Sequence, residues 1–318
     1  MIPSAHRPVI ALHGGCGVMS RALLSEDEWV AACADMRKAL EAGYAILSAG
    51  GSAVAAVEAC VTVMEDSPHF NAGYGAALNA SGQHELDASI MDGATVQAGA
   101  VAGAQAVRNP VRLARKLMEQ SIPMMLAGPA ADAYAADHGL ETVPQSYFTT
   151  PRRAEALATM RAHDRLGTFA SESEKHGTVG AVALDCDGNL AAATSTGGFT
   201  NKAVGRVGDS AIIGAGTYAR NGVCAVSCTG QGEQFIRHVV AHEIAARIRY
   251  EDRPLADAAR AILAEAFTPH GIGGGVIAID QRGTISAEFN TEGMFRGWID
   301  ADGVLFVATH RDSECTLG

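Results

Sequence analysis

Two periods of hydrophobic and polar positions divide this chain. Residues 9–12 form a short apolar run stopped by His13-Gly14-Gly15-Cys16-Gly17, which predicts a buried strand entering a glycine-rich turn. Ser25 followed by Glu26, Asp27 and Glu28 predicts a capped helix with Trp29, Cys33, Met36, Leu40, Tyr44 and Leu47 on its apolar face. Gly50-Gly51 ends that helix, and Ser52 opens a second over residues 53–65, with Pro68 beyond its end. Asn109 as N-cap and Pro110 at the first helical position predict a third, running to residue 119. On this pattern helices dominate the first half.

The second half changes to a strand period. Residues 178–185 and 190–196 are β-prone runs around Cys186-Asp187-Gly188, and 276–280 and 284–289 bracket Gln281-Arg282-Gly283 in the same way. Residues 211–213 and 223–227 read as further strands and 232–248 as one helix. Helices flanking a hairpin-built antiparallel sheet predict an α+β layered fold rather than a doubly wound parallel one. Residues 169–177 are polar and run straight into a strand, which predicts an exposed loop tip open to cleavage.

Composition narrows the function classes. The 318 residues carry 24 Lys and Arg against 35 Asp and Glu, a net charge of −11, with no basic block that could draw a phosphate backbone. Nucleic acid is therefore not an expected partner. No apolar stretch has the length of a membrane span or a signal segment, so neither a membrane nor export is expected. Seven cysteines, odd in number and without CxxC spacing, predict reduced thiols in a cytoplasm rather than a disulfide framework or zinc ribbon. Glycine is the anomaly at 36 residues, about 11% against a usual ~7%, which points to a site lined by backbone.

Four places could carry chemistry. If Cys186-Asp187-Gly188 is a three-residue loop, Thr178 lies opposite Thr196 on one sheet face; a two- or four-residue loop would separate them. A facing threonine pair is equally good strand structure. Thr178 also follows the polar loop, so a cut after Gly177 would make it an N-terminus whose α-amine could act as base for its own hydroxyl. Cys228-Thr229-Gly230-Gln231-Gly232-Glu233 lies between a strand and a helix, where Thr229 and the Gly230 N–H could form an oxyanion hole or simply a packed turn. In Gly205-Arg206-Val207-Gly208-Asp209-Ser210, Arg206 and Asp209 could clamp the carboxylate and ammonium of an amino acid, or pair with each other and face water. His238 with His242 and Cys224 with Cys228 lack a third ligand nearby, and no metal is expected on them.

Taken together these residues resemble the plant-type asparaginase and isoaspartyl peptidase family of N-terminal-nucleophile hydrolases. The likeness runs through His13-Gly14-Gly15, Phe70-Asn71-Ala72-Gly73-Tyr74-Gly75, Glu85-Leu86-Asp87-Ala88, Met91-Asp92-Gly93, Val101-Ala102-Gly103, Arg108-Asn109-Pro110 and His176-Gly177-Thr178-Val179-Gly180. It continues in Ala193-Thr194-Ser195-Thr196-Gly197-Gly198, the Arg206 and Thr229 segments, and Asn290-Thr291-Glu292-Gly293-Met294. Cys16, where the family more often has Ala, and Gln231 are the departures.

The resemblance implies a single domain, a four-layer αββα sandwich, that cuts itself into residues 1–177 and 178–318, with about 166–177 as the linker before the cut. It implies a working dimer of these αβ units and no cofactor for catalysis. Thr178 would attack the side-chain carbonyl of an L-aspartyl compound, held by Thr196, with Thr229 and Gly230 stabilising the oxyanion and Asn71 near the scissile bond. Arg206, Asp209, Gly230 and Gly232 would hold the substrate. A structural sodium would sit on the main-chain carbonyls of Met64, Glu65, Ser67, Phe70, Ala72 and Tyr74. The expected substrates are β-aspartyl dipeptides and asparagine. The alternatives are a glycosylasparaginase-type hydrolase and an uncut protein that binds a small molecule without turnover.

Overall fold

The computed structural model describes residues 6–17, 25–120, 122–162, 177–311 and 315. Of the expected linker at about 166–177 and the expected loop tip at 169–177, only Gly177 lies within them.

Twelve strands are seen among the described residues: β1 (Val9–Gly17), β2 (Leu86–Asp92), β3 (Ala98–Ala104), β4 (Met125–Ala127), β5 (Val179–Leu184), β6 (Leu190–Thr196), β7 (Thr217–Arg220), β8 (Cys224–Gly230), β9 (Gly274–Asp280), β10 (Ile285–Phe289), β11 (Gly293–Ile299) and β12 (Leu305–His310). The helices are α1 (Glu26–Ser48), α2 (Ala53–Glu65), α3 (Pro110–Gln120), α4 (Pro129–Asp137), α5 (Pro151–Ala162), α6 (Gly232–His238), α7 (Val240–Glu251) and α8 (Leu255–Ala266). One sheet has eight strands in the order β12-β11-β1-β5-β6-β2-β3-β4, and the other has four, β10-β9-β8-β7.

Alternation along the central strands explains the layers. In β5 and β6, Val179, Ala181, Ala183, Ala191 and Ala193 pack with α1, α2 and α3. The intervening Val182, Leu184, Leu190 and Ala192 join the core shared with β8, β9, α7 and α8. The result is the expected αββα sandwich. Small side chains at these positions let sheet and helices approach closely. Thr178, Thr194 and Thr196 have the parity of the inter-sheet side.

The β5–β6 hairpin decides the register. Val179 pairs with Ser195 and Leu184 with Leu190, while Asp185 N–H donates to the Asn189 carbonyl at 3.0 Å. Gly188 has φ +81°, the left-handed residue a three-residue loop requires. Thr178 is thereby placed opposite Thr196.

Several expectations need correction. The run from His13 to Gly17 is not a turn but the second half of β1, paired to β11 across a register shift between His13 and Gly15. The 232–248 helix is broken at Val239, whose φ of 48° is left-handed. Residues 209–211 form a 3-10 turn rather than the start of a strand. The first half also holds β2 and β3 of the large sheet, on the side of its β4 edge, although helices α1 to α5 still make up most of its regular structure. Ser25 caps α1 with a full capping box to Glu28. At α3, however, the Val111 N–H is taken by Glu65 Oε1 at 3.0 Å, and Asn109 Nδ2 donates instead to Asp66.

The reduced-thiol expectation fails at one pair. Cys33 on α1 and Cys315 form a disulfide across 282 residues of sequence, with Cα atoms 6.3 Å apart. Cysteine count and local spacing cannot register a pair that the fold brings together from opposite ends of the chain.

Candidate active site

The site is assembled where β5 begins and β6 and β8 end. Thr178 is buried immediately before β5, and its hydroxyl donates to Thr196 Oγ1 at 3.2 Å. Thr196 Oγ1 also accepts from Gly198 N–H at 3.0 Å, so the turn after β6 holds it in place. Thr229 enters from β8 in the other sheet. Its hydroxyl oxygen is buried and has no hydrogen-bond partner among the described residues. Such a group costs free energy unless a ligand completes it, and this one faces the expected cleavage junction. A Cβ on Gly177 would lie 2.9 Å from Thr229 Oγ1 and against the Gly15 backbone, so only glycine fits beside this hydroxyl. Cys16 Sγ donates to the Thr229 carbonyl at 3.3 Å, which accommodates the departure from the more usual Ala.

Arg206 and Asp209 do not pair with each other through a hydrogen bond. The Arg206 guanidinium gives Nε and Nη2 to Glu233, both at 3.0 Å, and stacks over Phe199 at 4.5 Å. Held on one edge and one face, it keeps its Nη1 donors for another acceptor. Asp209 is buried, its Oδ2 has no partner among the described residues, and burial pushes its carboxyl up to about 7 against the pull of Arg206. A buried carboxylate oxygen awaiting a donor suits an ammonium group. Gly232 lies between them: a Cβ there would be 2.8 Å from Asp209 Oδ1 and 2.9 Å from Arg206 Nη2. Gly230 ends β8, paired with Gly274.

Asn71 comes to the Thr196 turn rather than onto the nucleophile. Its amide donates to the Gly198 carbonyl at 2.5 Å and accepts from Ala77 N–H at 2.7 Å. The loop that carries it was expected to bind sodium. Among the described residues the carbonyls of Ser67, Phe70, Ala72 and Tyr74 accept no main-chain hydrogen bond, whereas those of Met64 and Glu65 accept from Ser67 and Tyr74. No group of three or more His, Cys, Asp or Glu side chains among the described residues could hold a metal ion, so any cation here depends on such carbonyls.

The clamp is braced by residues that motif reading did not single out for this role. Glu85 Oε1 accepts from Gly205 N–H at 2.9 Å, and Asp87 Oδ2 from Gly208 N–H at 3.1 Å, fixing the loop on either side of Arg206. Lys202 Nζ, fully buried, donates to the Glu85 carbonyl at 2.7 Å. Buried carboxylates beside glycine N–H groups were the available signal, hidden because their partners lie more than a hundred residues away.

A threonine hydroxyl facing a second hydroxyl, an unpartnered hydroxyl from the other sheet and a separate pair of ionic groups are the kinds of group that amide hydrolysis uses. The comparison with known proteins agrees: the asparaginase family profile matches residues 6–308, and the chain belongs to that family of hydrolases. It is 48% identical to the isoaspartyl peptidase of Escherichia coli K12, over 92% of each chain. It is 39% identical to an isoaspartyl peptidase/L-asparaginase of Xenopus laevis over 98% of each. A human protein of the same name is 46% identical over 72% of this chain and 73% of its own.

Proposed function

We propose that this protein is a threonine hydrolase that cuts itself between Gly177 and Thr178 and then removes L-isoaspartyl residues from dipeptides and hydrolyses asparagine. The observation that carries this reading is a pair of buried polar atoms without a hydrogen-bond partner among the described residues: the Thr229 hydroxyl and Asp209 Oδ2. The first suits an oxyanion, to which it would donate, and the second suits an α-ammonium. The names of the relatives, isoaspartyl peptidase and isoaspartyl peptidase/L-asparaginase, supply the substrate class.

In maturation, Thr178 Oγ1 attacks the Gly177 carbonyl carbon, and the peptide C–N bond breaks as an ester forms. The hydroxyl proton passes to the nitrogen, which becomes the Thr178 amine, and water then hydrolyses the ester, freeing the Gly177 carboxylate and restoring the Thr178 hydroxyl. In turnover that amine takes the Thr178 hydroxyl proton as Oγ1 attacks the β-carbonyl of the substrate. The leaving amine receives the proton, and water hydrolyses the resulting β-aspartyl ester. Thr196 orients the hydroxyl, Thr229 and the Gly230 N–H stabilise the tetrahedral oxyanion, and Arg206, Asp209 and Gly232 hold the aspartyl head. Asn71 supports the Thr196 turn.

The same reading includes a dimer of αβ units and a sodium ion on the open carbonyls of Ser67, Phe70, Ala72 and Tyr74, with Met64 and Glu65 completing the set. The ion would stiffen the loop that carries Asn71. No helix among the described residues is long and apolar enough to cross a membrane. A cytoplasmic location belongs to this proposal too, and it has to accommodate the Cys33–Cys315 pair.

Intact-mass measurement with reductant, together with kinetics on β-aspartyl-leucine, asparagine and glutamine, tests the reading. Two fragments and turnover of the first two substrates are expected, whereas a persistent full-length species without turnover would leave only a small-molecule binder. Thr229→Val should lower kcat about 100- to 1000-fold, the usual loss for one oxyanion donor. Near-normal turnover in that variant would remove Thr229 from the role.

A further inference from the structure

His13 lies in β1 between the two sheets, fully buried, and both ring nitrogens are engaged. Nδ1 is 3.0 Å from the Thr178 carbonyl oxygen and Nε2 is 2.8 Å from Ser227 Oγ. A carbonyl only accepts, so Nδ1 carries the proton and Nε2 accepts from the Ser227 hydroxyl. Burial pushes the imidazole down to about 3, so it stays in this neutral form throughout the physiological range.

The chain of hydroxyls does not stop at Ser227. Ser227 Oγ is 2.7 Å from Thr194 Oγ1, which accepts from Thr217 Oγ1 at 2.5 Å. Ser89 Oγ lies 2.8 Å from Thr217 Oγ1 and 2.6 Å from the Ser210 carbonyl oxygen. Ser210 directly follows Asp209. A polar column through an otherwise apolar inter-sheet core therefore joins the backbone of Thr178 to the turn that presents Asp209. Its members come from β1, β8, β6, β7 and β2, so it also ties the two sheets together. The single Ser89 hydroxyl proton is shared between Thr217 Oγ1 and the Ser210 carbonyl; a buried network of this kind restricts geometry, because breaking one link leaves another polar atom unpaired.

We infer that His13 is a positioning residue for the proposed hydrolysis: its Nδ1–H holds the Thr178 carbonyl and sets the nucleophile at a fixed place relative to the Asp209 clamp. The inference rests on the proposed role of Thr178. Asn and Gln separate this role from mere filling of the core. An Asn amide at position 13 takes the place of Nδ1 and keeps the donor to Thr178, while a Gln amide takes the place of Nε2 and keeps only the Ser227 contact. A displacement of the nucleophile by about 1 Å costs on the order of 100-fold in rate. His13→Gln should therefore lose about 100-fold in kcat with KM within about threefold, while His13→Asn stays within about tenfold of the parent.

Rates are taken per mole of the 178–318 fragment, measured by intact mass of a reduced sample, so that slow maturation is not read as slow turnover. Equal activity of the two variants, Gln outperforming Asn, or a loss confined to KM would overturn the inference. Should both variants remain uncut, Ser227→Ala supplies the test by freeing the far side of the ring. A fall in its kcat of about tenfold at constant KM is expected, and an unchanged kcat overturns the inference. Parent protein that cuts and turns over while His13→Gln matches it sinks only this inference; parent protein that does neither takes the proposed function with it.

Discussion

Thr178→Ala is expected to yield one full-length species of 32.8 kDa and no measurable turnover. Removing one oxygen deletes the nucleophile of both proposed reactions, the attack on the Gly177 carbonyl and the attack on substrate. Neither neighbour can replace it. Thr196 receives the Thr178 hydroxyl, and even after a cut its own nitrogen would remain a peptide N–H with no basicity. Thr229 Oγ1 faces the junction, but within the described residues no base accepts its proton. The fold should survive, because the lost hydrogen bond contributes only about 1 kcal/mol. Intact-mass analysis over days and thermal unfolding check both halves of the expectation, and a Thr178→Ala chain that still cuts at residue 177 would exclude Thr178 as the nucleophile.

Asp209→Asn should abolish useful turnover while making the protein more stable above neutral pH. The Asp209 carboxyl is held near 7, well above the ordinary carboxylate, chiefly because burial penalises its charge. Between about pH 4 and 7 the folded protein therefore keeps a proton that the unfolded chain has released, and stability falls as pH rises through that window. Above it the site carries an ionised, incompletely paired carboxylate at a cost on the order of a few kcal/mol. Asn removes that cost, so the gain in Tm over the parent should be negligible at pH 4 and largest at pH 8. The same substitution removes the partner of the α-ammonium, and kcat/KM should drop about 100-fold or more through KM. A variant that is neither stabilised at pH 8 nor impaired in KM would show that Asp209 is not the acceptor. In the parent, KM should rise below pH 7 as Asp209 takes up a proton in competition with substrate.

The Thr178–Thr196 pair was legible because hairpin chemistry is local: Gly188 sets the loop, the loop sets the register, and the register places the two threonines face to face. Strands β2 and β3 of the large sheet were not. Both are buried along nearly their whole length and built from Ala, Gly, Ser and a few larger residues, so neither shows the alternation of a half-exposed strand. The glycines from Gly14 to Gly17 looked like a turn, yet they are the part of β1 that lets its backbone lie against Gly177. Val239 gave no signal of a helix break, since its φ of 48° goes with the Ala241 and His242 N–H groups donating to the Ala215 and Gly214 carbonyls, contacts that no local propensity encodes. Of the site, the residues with reactive groups could be named from motifs. Glu233 on Arg206, Glu85 and Asp87 on the clamp loop, and His13 behind Thr178 depend on contacts between distant segments, which no local pattern encodes.

The Cys33–Cys315 bond changes what a cut at residue 177 would mean. It closes a covalent ring whose two ends are 282 residues apart in sequence, and the junction between Gly177 and Thr178 lies on that ring. Cutting a ring opens it without releasing a piece. The matured protein would run as one band on electrophoresis without reductant and as two with it, and Cys315→Ser should give two bands in either case. Recovery after denaturation would follow the same division. With the bond intact, the halves meet at an effective concentration in the millimolar range whatever the dilution, and regain of activity should be first order. Once the bond is reduced, reassembly becomes a bimolecular encounter whose yield falls as the protein is diluted.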